Sequence, residues 1–129
     1  MARPAPTRPT DLELEILKVL WRQGPSTVRG VMEALARRRR AGYTTVLKML
    51  QIMTDKGLVR RDERRRAHVY RPRQSRRTVV RRLAGDLLDR AFEGSTRQLL
   101  LHALEYKKAT PAELAQIRRL LDEIERGRR

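Results

Sequence analysis

Thr44, Thr45, Lys48 and Gln51 fall together on the polar side of one amphipathic stretch and form the clearest chemical set in the chain. Small hydroxyls followed within a turn by an ammonium, and one turn further in by an amide, can approach base edges without a bulky clash. A threonine methyl packs on a thymine methyl, its hydroxyl bonds a phosphate, and Lys48 reaches guanine or phosphate oxygens. Tyr43, just before them, suits stacking on a sugar-phosphate wall, and suits equally well packing of a helix start against its own domain. A second set is cationic. Arg64, Arg65 and Arg66 are consecutive, and an anionic partner such as a duplex backbone or minor groove relieves their mutual repulsion. A solubilising loop has the same composition. The run Arg37–Arg40 offers phosphate contacts, or simply finishes a helix in solvent.

Other chemistries find no residues to carry them. With no cysteine, disulfides, thiolate metal sites and Cys nucleophiles are excluded. His68 and His102 are the two histidines, far apart and outside any helical His-x-x-x-His or His-Glu-x-x-His pattern, so no metal is expected. Ser26, Ser75 and Ser95 sit at predicted helix starts, where capping explains them. No glycine-rich phosphate loop occurs, and the expectation is a non-enzyme without a cofactor. A balance of 31 Lys and Arg against 15 Asp and Glu, +16 in 129 residues, draws polyanions to the surface. One Phe, one Trp and three Tyr are few for the stacking platforms of single-strand and RNA binders, which favours double-stranded DNA among nucleic acids. No apolar run approaches the roughly 20 residues that span a bilayer, and the N-terminus lacks a signal-peptide core. A cytoplasmic chain without membrane insertion is expected.

The elements that position these sets can be read from caps and periodicity. Residues 1–9 hold three prolines and two arginines and read as a flexible basic arm. Thr10-Asp-Leu-Glu13 is a capping box opening a first helix, with Leu12, Ile16, Leu17, Leu20 and Trp21 on one side. Gly24-Pro25 ends it, Ser26 is expected to cap a second helix over residues 27–37, and Val28, Val31, Met32 and Leu35 turn inward. The third helix opens at Tyr43. Val46, Leu50 and Met53 recur at i, i+4 and i+7, Met49 and Ile52 widen the stripe, and Gly57 stops it as a positive-φ glycine would. An ordinary amphipathic surface helix has this pattern too, and the residues after Gly57 are more telling. Residues 58–62 and 67–71 are β-branched and aromatic enough for two short strands, with the three arginines at the hairpin tip. Helix, helix, helix, hairpin is the order of a winged helix-turn-helix, whose third helix reads a groove while the hairpin loop lies along the backbone.

Beyond Pro72 the pattern is helical: residues 75–92, 95–105 and 111–126, the last opened by Thr110-Pro-Ala-Glu113. Residues 1–72 carry 17 basic and 7 acidic side chains against 14 and 8 in residues 73–129, so charge is densest where the DNA-reading elements lie. The expected organisation is mainly α with a small β-hairpin: arm 1–9, winged-helix DNA-binding domain 10–72, helical dimerisation domain 73–129. Leu83, Leu87, Leu88 and Phe92 form one apolar stripe, Leu100 and Leu104 belong to a second, and Ile117, Leu120, Leu121 and Ile124 to a third. Small domains cover only about 60% of their surface on folding, so these stripes call for a partner, most simply the same segment of a second chain in a homodimer.

Glu13-Leu-Glu-Ile-Leu-Lys-Val-Leu-Trp21, Gly24-Pro-Ser-Thr-Val28, Gly42-Tyr-Thr-Thr-Val46, Lys56-Gly-Leu-Val59, Leu87-Leu-Asp-Arg-Ala-Phe92 and Thr110-Pro-Ala-Glu-Leu114 together resemble the penicillinase repressor (BlaI/MecI) family. The resemblance runs from about residue 10 to residue 125. It implies a bacterial, nucleoid-associated, dimeric winged-helix repressor of a palindromic operator, often of β-lactamase or penicillin-binding-protein genes. It also places Thr44, Thr45 and Lys48 at the operator, and implies release when a membrane-bound sensor metalloprotease triggers cleavage in the C-terminal domain. The bond cut in the best-known members joins Asn to Phe. The matching positions here are His102 and Ala103, so a cut at this candidate site requires another specificity. The cysteine cluster of the copper-responsive branch is absent, which excludes thiolate copper sensing. Two other classes use the same charge: a sequence-blind, chromatin-type protein that coats DNA, and a basic module that binds an acidic protein. A preference for one palindrome over random duplex separates the first reading from both.

Overall fold

The computed structural model describes residues 8–36 and 41–128, so Arg37–Arg40 and most of the N-terminal arm lie outside the described residues. In chain order the elements are α1 (Asp11–Gln23), β1 (Ser26–Thr27), α2 (Val28–Leu35), α3 (Tyr43–Asp55), β2 (Val59–Asp62), β3 (Val69–Pro72), α4 (Arg76–Phe92), α5 (Thr96–Tyr106) and α6 (Pro111–Glu125). The chain divides into two compact units after Leu83.

Local chemistry starts and stops the helices of the first unit. The Thr10 hydroxyl accepts from the Glu13 N–H at 3.3 Å while Glu13 Oε1 accepts from the Thr10 N–H at 2.8 Å, so two N–H groups that no helical carbonyl can reach are satisfied reciprocally. Gly24 ends α1 at φ 86° and Gly57 follows α3 at φ 80°, a conformation that costs a side-chain-bearing residue a Cβ clash. Ser26 is not the cap of α2. Its hydroxyl is turned back onto the α1 terminus, donating to the Gly24 carbonyl and accepting from Gln23, both at 2.9 Å, and Thr27 caps instead, accepting from the Gly30 N–H at 3.1 Å.

Ser26 and Thr27 are extended because β3 pairs with them. The hairpin strands align Val59 with Pro72 and Asp62 with Val69, and β1 joins the free edge of β3 with Ser26 opposite Tyr70. The sheet therefore has three antiparallel strands in the order β1-β3-β2, one more than a hairpin. Ile16, Leu17, Val19 and Leu20 of α1, Val28, Val31 and Leu35 of α2, and Val46, Leu50 and Met53 of α3 meet Leu58, Val59 and Tyr70 in one core. Ile52 is exposed and lies outside this core, whereas Met49 packs against its edge as its place in the stripe requires, joined there by Leu47. Three helices over a small sheet with a projecting hairpin loop make a winged helix-turn-helix. The start of α4 belongs to this unit: Val79 is buried, and Trp21 Nε1 donates to the Gln74 carbonyl at 3.0 Å. Compactness thus carries the first unit past Pro72.

The second unit is helical. The Ser95 hydroxyl accepts from the Gln98 N–H at 3.2 Å and that of Thr110 from the Glu113 N–H at 3.1 Å, opening α5 and α6 as their sequences require. The Phe92 and His102 rings lie 5.6 Å apart. None of the described residues from Ala84 onward is buried.

Candidate nucleic-acid interface

The face of α3 opposite its core stripe is open along its length. Tyr43 is 48% exposed, and Thr44, Thr45, Lys48, Gln51 and Asp55 are exposed beside it, while Val46, Leu50 and Met53 hold the other face in the core. Gly42 caps the helix without a side-chain hydrogen bond, so among the described residues no side chain satisfies the first N–H groups. A helix start of that kind attracts a phosphate. The C-terminal end of α3 is pinned. Lys56 Nζ lies 2.6 Å from Glu13 Oε1, the same oxygen that accepts from the Thr10 N–H. Glu13 is 1% exposed and the Lys56 side chain 21%. Burial alone pushes the Glu13 carboxyl up, but bonds from Lys56 and Thr10 outweigh it and hold the group below its ordinary value. One carboxylate therefore caps α1 and fixes the far end of the outward-facing helix.

The loop between β2 and β3 carries Arg64, Arg65 and Arg66, all exposed, but they are not equivalent. Arg64 is paired with Asp62 at 2.8 Å, and Arg61 with Glu63 at 2.6 Å. Arg65 and Arg66 have no carboxylate at salt-bridge distance among the described residues. The mutual repulsion expected of three arginines is partly answered within the protein, by an acid two residues before the first of them.

A groove of about 400 Å³ joins the loop to the helices, bringing Arg29 of α2, Tyr43 of α3, and Arg66 and His68 of the loop around a floor that includes Val28, Leu47 and Tyr70. No acid lines it. Two other hollows at the foot of the loop, about 650 and 370 Å³, both include Asp62, and the smaller also Glu63. Of these three hollows, the acid-free groove leaves its arginines unopposed by a lining carboxylate and so suits an anion, with an apolar floor that suits a sugar. Sequence reasoning brought Tyr43 and Arg66 to this interface and missed Arg29 and His68. Arg29 was legible as an outward residue next to Val28, but only the fold sets it opposite the loop.

Leu83, Leu88, Phe92, Leu104 and Ile117 are partly buried, and Leu87, Leu100, Leu120, Leu121 and Ile124 are exposed. His102 and Ala103 are exposed on α5. Among the described residues no helix is long and apolar enough to cross a membrane.

The model of the penicillinase repressor family matches residues 9–123. The chain belongs to that family. A relative named transcriptional regulator BlaI from Mycobacterium tuberculosis (strain CDC 1551 / Oshkosh) is 42% identical over 123 residues, covering 94% of this chain and 88% of its own. The penicillinase repressor of Bacillus licheniformis is 24% identical over 114 residues, covering 88% and 89%. Among solved structures, the solution structure of the B. licheniformis BlaI monomeric form in complex with the blaP half-operator has a TM-score of 0.49 at 25% identity, covering 55% of this chain and 87% of that one. The family match takes in the winged helix and all but the last residues of α6.

Proposed function

We propose that this member of the penicillinase repressor family is a dimeric transcriptional repressor that binds a palindromic DNA operator. The start of α3 enters the major groove, with Thr44, Thr45 and Lys48 at base edges or phosphates and Gln51 one turn further in. The groove lined by Arg29, Tyr43, Arg66 and His68 takes the backbone that runs between helix and wing. This acid-free groove is the observation that carries the reading, because it puts cations from α2 and the wing around one path beside the start of α3. The names of the relatives support transcriptional control, and that of the B. licheniformis relative supports a β-lactamase or cell-wall-related gene as the target.

The dimer is carried by residues 73–129. Leu87, Leu100, Leu120, Leu121 and Ile124 stand in water on helices that bury little or nothing themselves, and a second copy of the segment covers like with like across a two-fold axis. That axis sets two α3 helices about 34 to 36 Å apart, one duplex turn, or a multiple of it. Induction rests on the same arrangement. A cut at the exposed His102–Ala103 bond, triggered by a membrane-bound sensor metalloprotease of suitable specificity, removes α6 from the interface and leaves α3 untouched.

Selection from random duplex DNA tests the reading. A repressor enriches a palindrome that it prefers by roughly 10³ or more over random sequence at physiological salt. Uniform binding to all duplexes replaces it with a chromatin-type protein that coats DNA through its charge, and no binding to any duplex replaces it with a basic module for an acidic protein.

A further inference from the structure

Asp62, the last residue of β2, is occupied by one arginine. Its Oδ1 accepts from the Arg64 backbone N–H and from Arg64 Nε, both at 3.0 Å, and its Oδ2 accepts from Nε at 3.2 Å and from Nη2 at 2.8 Å. The backbone bond, from two residues on, closes the first turn of the wing as an Asx turn. The side-chain bonds take the Nε–Nη2 edge of the guanidinium, the same planar fork with which an arginine grips a phosphate. Arg64 is not held by burial, since its side chain is 85% exposed; it is held by its acceptor. Arg65 and Arg66, next in the chain, have no such acceptor among the described residues. Arg71 stands 4.0 Å from Oδ2, a second and more distant cation beside the carboxylate.

Resting on the DNA-binding reading, we infer that Asp62 is a specificity-determining and positioning residue of the wing: it turns Arg64 back onto the protein, so that Arg65 and Arg66, and not Arg64, meet the DNA backbone. Each cation that reaches a phosphate adds about 0.9 to the slope of log affinity against log salt, and adds it for every sequence alike. In a chain of net charge +16, one more free arginine raises the sequence-blind background against which an operator must be found. Asp62 removes that cation without removing the turn that shapes the wing.

The test uses the full chain and two duplexes, one of fixed arbitrary sequence and one selected by the protein from a random pool. Salt dependence of binding is measured for wild type, Arg64→Gln, Asp62→Asn and the double variant, with thermal melting to confirm the fold. Asparagine keeps an Oδ1 acceptor for the Arg64 N–H and drops the charge. Arg64→Gln alone is expected to leave the slope unchanged, Asp62→Asn to raise it by up to about one unit, and the double variant to return to wild type. A drop of about one unit in Arg64→Gln alone overturns the inference, because Arg64 is then already on DNA. An equal rise for Asp62→Asn with and without Arg64 also overturns it, because Asp62 then acts only as a repelling charge. Should Asp62→Asn fail to fold, Arg64→Gln is compared with Arg65→Gln: a loss of slope confined to Arg65→Gln supports the inference, and equal losses overturn it. A wild type with no salt-dependent binding to either duplex sinks the DNA-binding reading and this inference with it, whereas either of the overturning results above leaves that reading standing.

Discussion

Replacing Lys56 by Met leaves a nearly fully buried carboxylate without its cation. Removing one partner of a buried ion pair costs about 3 to 5 kcal/mol, most of it the charge left behind. Two features of the site lower that figure: Lys56 is about one-fifth exposed, and Glu13 keeps its bond from the Thr10 N–H. A loss of about 2 to 4 kcal/mol is expected at neutral pH, a fall of roughly 10 to 20 °C in the melting temperature of a domain of this size. The pH dependence identifies the cause. In the wild type the Glu13 carboxyl lies below its ordinary value, so its contribution is complete above that value and is lost as pH falls through the folded-state value. In Lys56→Met the push from burial is no longer opposed by the cation, the folded-state value rises, and protonation relieves the orphaned group. The gap between the two proteins is therefore widest at pH 7, begins to narrow as pH falls through the variant's raised folded-state value, and is smaller at about pH 4. Denaturant unfolding at both pH values measures it. An undiminished gap in acid, or a Glu13→Gln/Lys56→Met double variant no more stable than Lys56→Met, would refute the claim that the stranded charge is what destabilises.

Thr45→Ala or Lys48→Ala should weaken operator binding by about 1 to 3 kcal/mol where each reads a base, with an unchanged melting temperature because both side chains face water; unchanged affinity in a binding titration of both variants means that another face of α3 meets the DNA. Leu120→Glu or Ile117→Glu should split the proposed dimer, since an unpaired charge in an apolar interface costs several kcal/mol, and the loss of linkage between half-sites should lower apparent operator affinity by roughly 10² to 10⁴; sedimentation and binding measured on the same sample read both. A chain ending at Leu101 should be monomeric and release the operator, and one that stays dimeric and tightly bound rules out cleavage as the route to induction.

Element boundaries were legible wherever the deciding chemistry is local. Thr10 with Glu13, Ser95 with Gln98, and Thr110 with Pro111 and Glu113 satisfy helix starts within three residues of chain, and Gly57 takes its positive φ for want of a Cβ. The inward stripe of α3 and the outward set Thr44, Thr45, Lys48 and Gln51 came from a 3.6-residue period that holds whatever the helix packs against. The Arg64 clamp was legible in principle, since Asp62 lies only two residues away, but three arginines weighed as a block concealed it.

Tertiary structure alone decided what depends on residues distant in the chain. Ser26 and Thr27 have no strand signal of their own and become β1 because β3 offers a free edge, which is also why the capping role passed from Ser26 to Thr27. Glu13 reads locally as a surface capping acid, and only the approach of Lys56 from the far end of α3 turns it into a buried ion pair. Arg29 and His68 belong to helix and loop segments with no sequence relation, and they meet in one groove because α2, α3 and the wing converge there. Periodicity assigns a side chain to a face of its own element. What that face meets is decided by long-range packing.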